Sequence, residues 1–193
     1  GSLLSNKEHN KESFWTKYIF SIDHKVIGIQ YGITALVFLL FGFALMMVMR
    51  WQLAYPDTPV PLVGWLIKWL AELNGFASEG NLPSDLYNVF GAMHGTIMIF
   101  LGVVPLIVGA FGNYLVPLQI GAPDMAFPKL NMASYWSYLP GGIIMFISFF
   151  LPGGAANSGW TAYPPLSDIA TMGQTFWLLG MVFLITSSLL GSI

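Results

Sequence analysis

Cysteine is absent from the 193 residues, which removes disulfides, thiolate metal sites and iron–sulfur clusters together. Charge is nearly as scarce, at 8% of the chain, against about a quarter in an ordinary soluble domain. Between Asp85 and Asp124 no charged side chain occurs at all. The net charge of −2 says little about partners, and no nucleic-acid partner is expected. Alternating ten-residue segments of barrel strands are missing, as are internal repeats and low-complexity tracts. The first 25 residues are polar and charged, with no short apolar region ahead of a small-residue cleavage signal, so the first span is expected to be an uncleaved anchor.

What is present is apolar: 55% hydrophobic residues, among them 15 Phe and 7 Trp. A bilayer core about 30 Å thick needs roughly 20 such residues in a helix. Four uncharged stretches have that length, at 26–49, 87–118, 130–151 and 169–193. The expected fold is all-α integral membrane, with four transmembrane helices. Lys7, Lys11, Lys17 and Lys25 precede the first span and Lys129 lies between the second and third. The positive-inside rule therefore places the N terminus on the cytoplasmic or matrix side, with only Arg50 and Lys68 opposing.

The outer loop, 51–86, contains 61-PLVGWLIKWLAELNG-75, whose Leu62, Trp65, Leu66, Trp69, Leu70 and Leu73 recur at helical spacing. It is expected to form an amphipathic helix at the outer interface, ended by Asn74-Gly75. Gly28 with Gly32, and Gly91 with Gly95, are pairs that mark close helix packing.

Polar residues inside hydrocarbon are costly, so their depths are informative. In a regular helix His94 and Asn113 would stand about 28 Å apart along the axis. Toward the outside lie His94 and, at the outer end of the first span, Arg50, expected at similar depth. Two readings fit this group: an imidazole ligating a haem with the guanidinium at its rim, or a neutral histidine bonded to a neighbouring carbonyl beside a snorkelling arginine. Toward the inside gather His24, Tyr31, Asn113, Asp124, Asn131 and Ser134. These suit a water-filled proton uptake path, or else Asp124 and Asn131 are loop and cap residues.

The segments 109-GAFGNYLVPLQIGAPDMAFPKLN-131 and 159-GWTAYPPLSD-168 resemble subunit I of the haem–copper oxidases, specifically the A-type cytochrome c oxidases. The resemblance runs from about residue 15 to 193, outside the outer loop. It implies that His94 is the axial ligand of the low-spin haem A iron and that Arg50 bonds the formyl group of that haem. It implies further that Tyr87 stands at a propionate, and that Trp160 lies near the propionates of the high-spin haem with Tyr163 as a structural support. The inner group is similar to a D-type proton channel: Asp124 at the mouth with His24 beside it, Asn113 and Asn131 at the narrow part, then Tyr31, Ser134, Ser187 and Ser188. Met132, Lys129 and Gln52 depart from common family residues, and Gln52 withdraws a structural cation site that some relatives hold.

The family's second low-spin ligand, its high-spin haem ligand, its three copper-site histidines and its cross-linked tyrosine lie on later helices, so the high-spin haem and CuB are expected outside these residues. So does the glutamate that ends the D-type path. The segment accordingly resembles the first third of a twelve-helix subunit. The parent activity it implies is reduction of O2 to water by cytochrome c, coupled to proton pumping in a bacterial cytoplasmic or mitochondrial inner membrane. Expected partners are the remaining helices of subunit I, subunit II with CuA, subunit III, cytochrome c and the lipid bilayer. A quinol oxidase is the nearest alternative, although Phe41 and Leu45 stand where its known members carry Arg and Asp. A non-redox proton channel is the alternative outside the class.

Overall fold

The computed structural model describes residues 13–193, so Lys7, Lys11 and His9 lie outside the described residues. Five helices carry the fold. The first, α1 (His24–Ala54), begins where the Asp23 carboxylate accepts from the Lys25 N–H at 2.8 Å, a side-chain cap. In the outer loop, α2 (Gly64–Leu73) is short. Next comes α3, 37 residues of continuous helix (Ser84–Ile120), closed by Gly121 in the left-handed conformation with φ 72°. Then follow α4 (Pro128–Ile147), which continues through a tight turn over Ser148–Phe150, and α5 (Met172–Gly191).

By length and composition, α1, α3 and α5 can each cross a membrane. The stretch expected as a span at 130–151 is helical, but it is not among those three. Asn131, Ser134, Ser137 and two buried tyrosines, Tyr135 and Tyr138, dilute its apolar character. The molecule is an integral membrane protein.

Over Ile97–Val103 and Pro105–Gly112 the turns of α3 are wider than α-helical. Pro105 has no N–H to continue the i→i−4 ladder, which is a recognised cause of such widening. Wide turns advance less per residue, so His94 and Asn113 are closer than the 28 Å or so of a regular helix.

α1 runs antiparallel to α3, and the register is set by large side chains seated on glycines. An added Cβ at Gly109 would meet Tyr31 at 2.6 Å, at Gly91 the Met49 methyl at 3.2 Å, and at Gly28 the Ala110 carbonyl at 3.1 Å. The Gly28–Gly32 pair thus packs as expected, both residues against Ala110. Gly95 does not pack against a helix; its nearest neighbour is Trp160, at 3.9 Å from an added Cβ. α4 and α5 form a second antiparallel pair, with Gly141 and Gly180 back to back, each 3.0 Å from the other's carbonyl once a Cβ is added. α4 runs parallel to α1 through Tyr31–Ser134, Thr34–Tyr135 and Phe41–Phe146 contacts.

A strap formed by residues 18–20 ties the N-terminal parts of α1 and α4. Gln30 Nε2 donates to the Tyr18 and Ile19 carbonyls at 2.7 and 2.9 Å, and Trp136 Nε1 to Ile19 at 3.2 Å. Phe20 stacks on Trp136 at 4.9 Å. At the opposite end, α2 buries Ile67, Leu70 and Ala71 and leaves Trp65 and Trp69 exposed. Buried Asn74 ends it and clips it to the bundle, its amide donating to Leu70 at 2.7 Å and Phe149 at 3.2 Å. Lys68 pairs with Glu79 at 3.1 Å, and that hydrogen bond holds the ammonium above its ordinary range.

Candidate functional site

His94 occupies the N-terminal half of α3, and its Nδ1 lies 2.8 Å from the Gly42 carbonyl of α1. A carbonyl only accepts, so Nδ1 carries the proton; in the neutral ring Nε2 keeps its lone pair. This is the orientation that metal-ligating histidines are given by a partner on the other nitrogen. No group of three or more His, Cys, Asp or Glu among the described residues could hold a bare metal ion. A lone imidazole therefore suits a metal that brings its own equatorial donors, as the iron of a haem does.

The rest of the outer group is distributed around that imidazole. Tyr87 lies two turns outward on α3 and is half-buried. Trp160 approaches Gly95 and sets its ring 6.1 Å from Phe100, while Tyr163 and Trp160 are both exposed. A recess of about 480 Å³ lined by Asn88, Ala92, Asn157, Ser158, Gly159 and Leu166 opens beside them. Arg50 is placed differently from the sequence expectation. Because His94 is in register with Gly42, Arg50 lies eight residues farther along α1, roughly 12 Å nearer the α2 end of the bundle. It can address the rim of a bound group, and it is not beside the imidazole.

At the other end of the bundle Tyr31 of α1, Ser134 of α4 and Ser187 of α5 meet. The Tyr31 hydroxyl is 2.6 Å from Ser134 Oγ and 3.2 Å from Ser187 Oγ, and Ser134 donates to the Ser187 carbonyl at 2.9 Å. All three are buried. Ser188 is exposed and outside this trio, since neighbouring residues on a helix point about 100° apart.

Asn113 and Asn131 are buried on α3 and α4, and each retains an amide atom without a partner, Oδ1 of Asn113 and Nδ2 of Asn131. Asn131 is not a helix cap; it sits inside α4. Buried polar atoms left open in this way are where ordered water is held. Asp124 lies half-buried in the α3–α4 connection, and its Oδ1 accepts from the Met125 N–H at 2.7 Å, a local turn bond. His24, the first residue of α1, donates from Nδ1 to the Asn113 carbonyl at 2.8 Å. One participant escaped sequence reasoning: Tyr138, whose hydroxyl donates to the Leu101 carbonyl at 2.6 Å.

A helical bundle with buried amides, hydroxyls and one tautomer-fixed imidazole defines a polytopic membrane protein with polar work to do inside the bilayer. The chain belongs to the family described as Cytochrome C and Quinol oxidase polypeptide I, which matches residues 26–193. It is 46% identical over 192 residues to cytochrome c oxidase subunit 1 of Thermostichus vulcanus, covering 98% of this chain and 31% of that relative. The corresponding protein of Synechocystis sp. is 42% identical over 194 residues, covering 100% and 30%. That of Cereibacter sphaeroides is 38% identical over 203 residues, covering 100% and 36%. The chain spans about a third of the length of these relatives.

Proposed function

We propose that this chain forms the first four transmembrane helices of subunit I of a cytochrome c oxidase, a proton-pumping respiratory enzyme that reduces O2 to water. In this reading α1, α3, α4 and α5 all cross the membrane within a twelve-helix subunit, with the N terminus inside. The observation that carries the proposal is the fixed tautomer of His94 in a chain of this family.

His94 would ligate the iron of a low-spin haem A through Nε2, with Gly42 holding the ring. Arg50 and Tyr87 would contact the periphery of that haem, and Trp160 with Tyr163 would border the neighbouring high-spin haem. The haem supplies one-electron transfer when bound; the residues here orient it and keep water from its faces. Asp124 and His24 would form the mouth of a D-type proton path. Asn113 and Asn131 would form its narrow part, and Tyr31, Ser134 and Ser187 the next step, with Ser188 facing helices beyond this segment. Each proton moved outward against the field costs about 2.3 kcal/mol per 100 mV, so a narrow water file bounded by amides suits one-way passage.

Subunits II and III, CuB, CuA and cytochrome c as donor complete the enzyme in this reading. A quinol donor is disfavoured because Leu45 is buried and Phe41 packs edge-on against Phe146 and Phe149 at 5.1 and 5.4 Å. The recess beside Phe41 is lined by Val37, Phe38, Leu40, Ile143 and Phe146, with Thr34 as its one hydroxyl. The test is a reduced-minus-oxidised spectrum of the native complex: haem A bands are expected, and their absence refutes the proposal, as does an unchanged low-spin band in His94→Leu.

A further inference from the structure

The long helix α3 contains two prolines past its midpoint, Pro105 and Pro117, and neither can donate a backbone hydrogen bond. In an α-turn the carbonyl four residues earlier would have accepted that bond. For Pro117, in the α-helical last stretch of α3, this is the Asn113 carbonyl. Inside a bilayer such an oxygen finds no bulk water, so a donor must come from protein or from an ordered water. That carbonyl is met by a buried side chain of another helix: His24 Nδ1–H donates to Asn113 at 2.8 Å. The pairing is not automatic. Pro140 of α4 frees the Trp136 carbonyl in the same way, and no side chain among the described residues donates to it.

We infer that His24 is a positioning residue, which supplies the N–H that Pro117 lacks and thereby holds the turn carrying Asn113. The consequences run through named contacts. The Asn113 amide donates to the Gly109 carbonyl at 2.6 Å, which leaves its Oδ1 as the open acceptor. Gly109 is the residue on which the Tyr31 ring rests. One imidazole bond thus sets the aim of the Asn113 side chain and the seat of Tyr31. Without it the Asn113 carbonyl is buried and unpaired, and the turn has to shift to find a donor. The bond is made from Nδ1, which carries a proton in both the neutral ring of this tautomer and the charged ring, so positioning does not require His24 to gain or lose a proton. The functional consequence rests on Asn113 belonging to the proposed uptake path; the capping role itself does not.

The experiment uses the complete enzyme carrying His24→Leu, Pro117→Ala, both together, or His24→Asn, whose Nδ2 takes the place of the imidazole Nδ1. Amide hydrogen exchange over residues 109–120 and proton uptake in vesicles are measured on each. In His24→Leu, exchange is expected to rise roughly tenfold, the factor carried by one unmade buried hydrogen bond, with uptake reduced. Pro117→Ala restores a backbone donor to the Asn113 carbonyl, so the double variant recovers protection, and His24→Asn retains it. Recovered protection with uptake normal in every variant supports the positioning role and refutes the uptake reading. Unrecovered protection in both the double variant and His24→Asn overturns the inference.

Discussion

Replacing Gly109 with alanine places one methyl group where the structure has no room for it. The new carbon would lie 2.6 Å from Tyr31 Cδ1 and 2.7 Å from Cγ, well inside the roughly 3.5–4.0 Å of ordinary carbon contact. Tyr31 cannot swing away freely. Its hydroxyl is tied to Ser134 at 2.6 Å and Ser187 at 3.2 Å, and its ring lies between Tyr138, stacked at 5.2 Å, and Tyr135, edge-on at 5.2 Å. Overpacking a tight site costs about 1–3 kcal/mol. Each hydroxyl bond lost within a membrane protein adds about 0.6–1.7 kcal/mol. With one of the two bonds lost the sum is on the order of 2–5 kcal/mol, read as a lowered unfolding midpoint of the complete complex in detergent and as slower turnover through a displaced Tyr31. Gly112→Ala is the matched control, because its Cβ would meet nothing nearer than the Ile107 carbonyl at 3.8 Å. Alanine there gains helix propensity and should be neutral or slightly stabilising. Wild-type stability and turnover in Gly109→Ala, or equal damage from Gly112→Ala, would refute the reasoning.

Asp124→Asn is expected to slow turnover several-fold by closing the proposed mouth, and full activity would remove Asp124 from the path. Asn131→Asp is expected to lower the proton-to-electron ratio while electrons still flow; an unchanged ratio in vesicles counts against Asn131 as the narrow part. Tyr138→Phe leaves the Leu101 carbonyl without its side-chain donor and should cost about 1–2 kcal/mol of stability, read as a lowered unfolding midpoint of the complete complex. Asn74→Ala removes the amide that clips α2 to Phe149 and should make the outer loop a site of limited proteolysis; resistance equal to wild type would show that the apolar face of α2 holds it alone.

The helices were legible because hydrocarbon demands long uncharged runs, and α1, α3 and α5 follow that rule. The α4 helix shows its limit: the same polar residues that make it useful inside the bundle weaken the signature by which a span is read. α2 was legible from its apolar spacing, but it starts at Gly64 instead of Pro61, because Leu62 adopts a left-handed turn with φ 65°. The inner group was recognisable as residue types at one depth. Its wiring was not, since Tyr31 reaches Ser134 across 103 positions and His24 reaches Asn113 across 89. Of the two adjacent serines, helical geometry alone could have shown that only one joins Tyr31. Arg50 was set beside His94 because both sit toward the outer face, and only the register of α1 on α3 separates them.

That register has a consequence for motion. Along the α1–α3 seam the large residues Tyr31, Leu39 and Met49 fit over Gly109, Gly102 and Gly91, and Met98 and Tyr114 fit back over Gly42 and Gly28. The two surfaces mesh like a key with its wards, so sliding one helix past the other by a turn would set bulk against bulk. A one-turn ratchet, which some switching proteins use, is closed to this pair. Any gating at either end must come from side-chain rotation and water exchange within a stationary frame.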